Sequence, residues 1–236
     1  MSTNTRAVSK PAGPPKGRRT TVALKLLMAG TGIIFIGYVL LHMYGNLKAI
    51  SGKETFDTYA EHLRTIGEPI LPYSGLLWII RVVLVLSLVG HVYAAFKLWK
   101  RAQDARTQRY AVKKAIVSSL SSRWMRWGGV TLLLFIVFHI LQFTTRTVTP
   151  GGDADSPFDR LVNGFSLWWV FLIYLAAMFA LAMHLHHGVF SASQTLGWTS
   201  SALSRKVARI VGWVIALVTS IGFTIPPFLI LIGVIK

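Results

Sequence analysis

Five apolar blocks, each long enough to cross a bilayer, divide this chain, and almost every charge lies between them. The hydrocarbon core of a membrane is about 30 Å thick and takes roughly 20 helical residues to span. The blocks cover residues 22–47, 73–99, 124–146, 163–190 and 207–235. Backbone polar groups inside lipid must be bonded within their own segment, so each block is expected to be a helix. No polar stretch is long enough for a second domain, which leaves one unit over 22–236. Residues 1–21 are basic, rich in Pro and Gly, and read as a disordered tail. They have no apolar core of the kind a cleavable signal carries, and the first block is long enough to remain as a span. Between the first two blocks, Phe56 to Ile66 is expected to form a short amphipathic helix on the membrane surface, stopped by Pro69 and Pro72. Pro226-Pro227 is the one conspicuous helix break expected in the spans.

Composition agrees: 53% of residues are hydrophobic and 14% charged, against roughly a quarter charged in soluble domains. The net charge of +17 would suit a nucleic-acid binder, but here the cations flank the spans and form no separate basic domain. They fit the positive-inside rule and contact with anionic lipid instead. With the N-terminus in the cytoplasm, inner segments hold 18 of the 25 Lys and Arg, and outer segments six. The remaining one is Arg81, inside a span. Seven of the eight acids fall outside. The C-terminus is then external. There is no cysteine, which excludes disulfides, c-type haem attachment and cysteine-held iron–sulfur clusters in this chain.

Metal chemistry is left to histidine, of which there are seven: His42, His62, His91, His139, His184, His186 and His187. His62 lies in an outer loop; the others lie within or at the ends of spans, where ionisable groups are functional candidates. Depth sorts four of them. His42 is roughly 25 Å from Lys25 along its helix, near the outer face. His139 is closer to Arg146 than to Arg126, also in the outer half. His91 is roughly 9 Å before Lys97, near the inner face, and His184 is about as deep in a helix that runs inward. His42 therefore pairs with His139, and His91 with His184. A b-type haem engaged only in electron transfer takes two axial imidazoles from opposite sides. Two such pairs would stack two haems across the bilayer. The fold expected is thus an all-α integral membrane protein in which the first four of five helices form a haem-binding bundle. His186 and His187 point to other faces of the fourth helix and suit a haem propionate, lipid or a partner. His187, almost a turn beyond His184, is its rival as ligand. Arg81, in the outer half of the second span with no acid at comparable depth, is expected to meet a propionate of the outer haem. Gly30, Gly32, Gly37, Gly90, Gly128, Gly129 and Gly188 would let helices or a flat macrocycle approach closely.

The segments around these histidines are LLHMYGNL, LVGHVYAAFKLW, VFHILQF and AMHLHHGVFSASQTLGW. In them the chain resembles the diheme cytochrome b membrane anchor of bacterial succinate dehydrogenases and fumarate reductases, of the single-subunit, five-helix type. The most specific match is His184 with Gly188, Phe190 and Ser191, followed by Thr195 to Trp198. The resemblance covers all five spans. It implies that His91 and His184 hold the proximal haem b and His42 and His139 the distal one. It also implies a flavoprotein and an iron–sulfur subunit as partners, docked on the basic linker 97–114 and on 191–209, and menaquinone as electron acceptor. A further small anchor subunit or a higher oligomer is compatible with it. Catalysis at succinate would belong to the flavoprotein, and quinone reduction to this chain. Some members carry a glutamate two residues before the fourth-helix histidine, tied to a transmembrane proton route. Ala182 stands there, so that route is not expected. Candidates to meet the quinone near the outer haem are Asn46, His62, Glu68, Gln142 and Arg146. The expected function is electron relay in a succinate:menaquinone oxidoreductase of the bacterial cytoplasmic membrane. The alternatives are the anchor of a fumarate reductase, hydrogenase or formate dehydrogenase, and a haem-free transporter. A transporter would more often show internal repeats, and none is seen.

Overall fold

The protein is described by a computed structural model over residues 17–105 and 117–236, with side chains from Thr21 to Ala105 and from Met125 onward. The tail 1–16 and the linker residues Arg106, Arg109, Lys113 and Lys114 lie outside the described residues. Among the described residues the α-helices run in the order α1 (Gly17–Leu47), α2 (Lys53–Thr65), α3 (Gly75–Asp104), α4 (Val117–Phe143), α5 (Pro157–Phe165), α6 (Trp168–Thr195) and α7 (Ala202–Leu231), with a 3-10 turn at Lys48–Ser51. Five of these are long and apolar enough to cross a membrane: α1, α3, α4, α6 and α7. Their outward faces carry large apolar side chains such as Leu41, Leu86, Leu134 and Val218, surface that lipid covers.

α1 is central and packs against α3, α6 and α7, while α4 packs on α6, and α6 on α7. α1 with α4, and α3 with α6, are not among the closely packed pairs. Space is therefore left between their backbones for side chains or a cofactor.

The short helices α2 and α5 lie together over one end of the bundle. Asp57 of α2 accepts hydrogen bonds from the Ser156 hydroxyl (2.6 Å) and the Phe158 N–H (3.0 Å), so a carboxylate from one helix caps the start of the other. Lys53 pairs with Asp159, and Phe56 meets Phe158 edge-on. Beneath them Phe158, Leu161 and Phe165 are buried with Val170, Tyr174, Ile230 and Ile235. We call this the capped end. The opposite end, with Lys97 to Arg101, Arg126 and Arg205 to Arg209, is the cationic end.

Two expectations need correction. The fourth span begins at Trp168 rather than 163, because 157–165 is a helix of its own. Ser156 caps α5, Pro157 fits its first turn, and extended backbone at Leu167 (ψ 115°) breaks it from α6. The Pro226-Pro227 pair does not break the fifth span: α7 runs through it to Leu231. The two prolines are buried, so tertiary packing offsets the ladder bonds they remove.

Candidate haem-binding site

The structure brings the four depth-sorted histidines together in two pairs. The His42 ring of α1 and the His139 ring of α4 lie 5.8 Å apart between centroids, at 77°. The His91 ring of α3 and the His184 ring of α6 are 6.1 Å apart, at 55°. Two imidazoles that share one metal axially place their ring centres roughly 6 Å apart, from metal–nitrogen bonds of about 2 Å and about 1 Å from each nitrogen to its ring centre. Both separations fit that span. Each pair also bridges two helices that are not packed backbone to backbone. Among the described residues no three of His, Cys, Asp or Glu gather as a metal site. Histidines in twos are what a bis-imidazole haem takes.

The vertical spacing can be measured on four helices. Gly32 of α1 faces His91 Cε1, and α1 carries His42 ten residues later. Gly129 of α4 faces His184 Cε1, and α4 carries His139 ten residues later. Tyr174 of α6 hydrogen-bonds His139 and precedes His184 by ten. Arg81 of α3 acts electrostatically on Tyr38, which stacks on His42 at 5.4 Å, and Arg81 precedes His91 by ten. Ten helical residues rise about 15 Å. All four helices thus place the two pairs the same distance apart along the bundle.

The second neighbours of the imidazoles decide which nitrogen is free. Tyr174 donates its hydroxyl proton to Gln142 Oε1 (2.9 Å), and its oxygen lies 3.0 Å from His139 Nδ1. Thr31 donates to the Leu27 carbonyl (2.7 Å), and its oxygen lies 2.9 Å from His91 Nδ1. A hydroxyl that has given away its proton can only accept, so with these hydrogen-bond directions each Nδ1 carries the hydrogen and each Nε2 lone pair is free for a metal. His184 Nδ1 is buried and has no hydrogen-bond partner. Sequence reasoning missed Tyr174 and Thr31. The sequence shows each only as a hydroxyl within an apolar span, about three turns from a histidine on its own helix.

The rival histidines separate. His186 stacks on Trp213 of α7 at 4.1 Å, so it faces away from α3 and α4. The α6 ring that meets His91 is that of His184. The Arg81 guanidinium lies over Trp78 at 4.9 Å.

The five quinone candidates divide. Gln142 is only 4% exposed and adjoins the His139–Tyr174 cluster, with its Nε2 buried and unpartnered. Asn46, one turn beyond His42, donates to that residue's carbonyl (2.8 Å). His62, Glu68 and Arg146 are exposed on the capped end. His62 lines a surface groove with Lys48, Glu54 and Tyr59, and Arg146 lies 3.6 Å from Asp153. None of these three makes a ring contact, ion pair or hydrogen bond with the His42–His139 cluster.

No family model and no solved structure matches the chain. Over 189 residues it is 25% identical to the succinate dehydrogenase cytochrome b558 subunit of Bacillus subtilis (strain 168), an alignment that covers 78% of this chain and 84% of the relative. That likeness extends along most of both chains, so this protein, with its five membrane-length helices, is similar to a succinate dehydrogenase cytochrome b subunit.

Proposed function

We propose that this chain is the membrane anchor and electron-transfer subunit of a succinate:menaquinone oxidoreductase, holding two b-type haems. The observation that carries the proposal is the pair of facing imidazole couples, 5.8 and 6.1 Å between ring centres. His42 and His139 would hold the capped-end haem, and His91 and His184 the cationic-end haem. When bound, each would supply a one-electron carrier. The chain's own part is to fix the imidazoles, to keep water from the sites and to separate them by about 15 Å along the bundle axis.

The cation-rich end is read as cytoplasmic, in the bacterial cytoplasmic membrane, and the capped end as external. The cytoplasmic end would receive electrons from an iron–sulfur subunit, itself fed by a flavoprotein that oxidises succinate. That reading rests on the relative's name and on the exposed cations Lys97, Lys100, Arg205, Lys206 and Arg209. Arg81 is assigned to a propionate of the capped-end haem, because it already acts on Tyr38 beside His42. His187 is assigned to the surroundings of the other haem. Menaquinone reduction is placed at the capped end, where Gln142 has a buried amide donor beside the His139 cluster.

The test is a dithionite-reduced minus oxidised spectrum of the purified full-length protein, with haem counted per chain. Two b-type haems and co-purification with a flavoprotein are expected. Absence of a b-type band would overturn the reading. Haem without a flavoprotein partner would move the chain to another respiratory complex.

A further inference from the structure

We propose that Tyr174, oriented by Gln142, and Thr31 are positioning residues that fix the ligating nitrogens of His139 and His91 and set the electron richness of one ligand in each pair. The inference rests on the two-haem reading above.

The Tyr174 hydroxyl has one proton, and it goes to Gln142 Oε1. Only a lone pair is left for His139 Nδ1, 3.0 Å away. Gln142 is itself held. It is one turn from His139, nearly fully buried, and its Nε2 sits where Gly164 of α5 carries no side chain; a Cβ there would come within 2.7 Å of it. The opposite amide orientation would send the phenol proton to His139 Nδ1 and leave Nε2 protonated, unable to ligate iron. Thr31 solves the same problem with the backbone, passing its proton to the Leu27 carbonyl.

The two braces are crossed. α6 supplies the ligand His184 to one pair and the brace Tyr174 to the other. α1 supplies the ligand His42 to one pair and the brace Thr31 to the other. α1 and α6 are packed on each other, so a single helix pair fixes one ligand and one brace at each level. An acceptor on Nδ1–H makes the imidazole a stronger donor to iron, which favours the oxidised state. Removing the acceptor should therefore raise the potential of that haem and leave the other in place.

The experiment is a redox titration of the b-type absorption in the full-length protein, with each component assigned by its loss in His139→Ala or His91→Ala. In Tyr174→Phe the component lost in His139→Ala should move upward by a tenfold change in its reduction equilibrium, about 59 mV for one electron. Thr31→Val should move the other component upward. Gln142→Leu should move the first component by less. The double variant Tyr174→Phe/Gln142→Leu should move it no further than Tyr174→Phe alone, because Gln142 acts through the phenol. The proposal is overturned if both haems are present in Tyr174→Phe and neither moves, if the double variant is additive, or if Thr31→Val moves the His139 component. Should Tyr174→Phe lose both haems through misfolding, Gln142→Leu and Thr31→Val decide the matter alone. A wild-type protein without b-type absorption would instead refute the two-haem reading itself.

Discussion

The two histidine pairs share a ligand chemistry but not a setting. At the capped end His139 lies among Phe135, Phe143 and Tyr174, and α2 and α5 close the bundle above it. At the cationic end His91 and His184 are lined by small residues, with Thr31, Gly32 and Gly129 in reach and Phe35 edge-on at 6.0 Å. Arg205, Lys206 and Arg209 stand exposed with Trp213 around a surface cavity of about 350 Å³ on α7. One site is built by covering an aromatic cluster with separate helices, the other by letting long helices approach closely. Damage to the cover, and overpacking beneath it, should therefore affect the capped site alone.

The largest expected effect tests whether there are two sites at all. His42→Ala and His139→Ala should each remove the same haem, and His91→Ala and His184→Ala the other, reducing the count from two per chain to one. His187→Ala should keep both. Depletion of one common haem by His42→Ala and His91→Ala would show the pairing to be wrong. A pyridine haemochrome assay with redox-resolved spectra reads all five variants.

Next comes the glycine contrast. Gly164→Ala drives a Cβ to within 2.7 Å of Gln142 Nε2, at a cost of about 1–3 kcal/mol for overpacking. Gly129→Ala puts its Cβ at an ordinary 3.8 Å from His184 Cε1 and should be tolerated. Thermal release of haem, followed at each component, should fall in temperature for the first variant only. Equal losses in both would mean that the two ends are packed alike.

Asp57→Ala removes two acceptor contacts from the start of α5, worth roughly 0.5–1.5 kcal/mol each. Its expected consequence is faster oxidation of the capped-end haem by ferricyanide, with the cationic-end haem unchanged. Unchanged rates at both would show that α5 does not shield the site.

The smallest effect concerns the exposed loop that follows α2. Hydrogen bonds from Arg64, and then from Tyr73, hold the Glu61 carboxyl below its usual range. A carboxylate with a lowered folded-state pKa stabilises above its unfolded value and stops doing so as pH falls through the folded one. Protease cleavage between residues 66 and 74 should therefore stay slow at neutral pH and rise at acid pH. In Glu61→Gln it should be pH-independent. Identical acid profiles in the two proteins would remove Glu61 from the loop's anchoring.

Much of this architecture could be read from the chain. Apolar block length fixes five spans because lipid leaves a backbone no option but to bond within itself. Depth sorted His42 with His139 and His91 with His184 because rise per residue is constant in a helix, and the rings do meet in those pairs. What could not be read was anything that depends on rotation about a helix axis or on contact between distant segments. The sequence alone left His184 and His187 as rivals, since they differ by less than one turn; packing puts His184 against His91. It marked Pro226-Pro227 as a break, since local rules know nothing of the neighbours that keep α7 continuous. It ran the fourth span from 163, although Ser156-Pro157 is a readable helix start. Tyr174 and Thr31 went unremarked because a hydroxyl in an apolar span is informative only once its partner on another helix is known. Apolar block length determined that there are five membrane-length helices, and residue spacing how far along its helix each histidine lies. Tertiary structure alone decided which hydroxyls face those histidines, because that depends on how α1, α3, α4 and α6 turn toward one another.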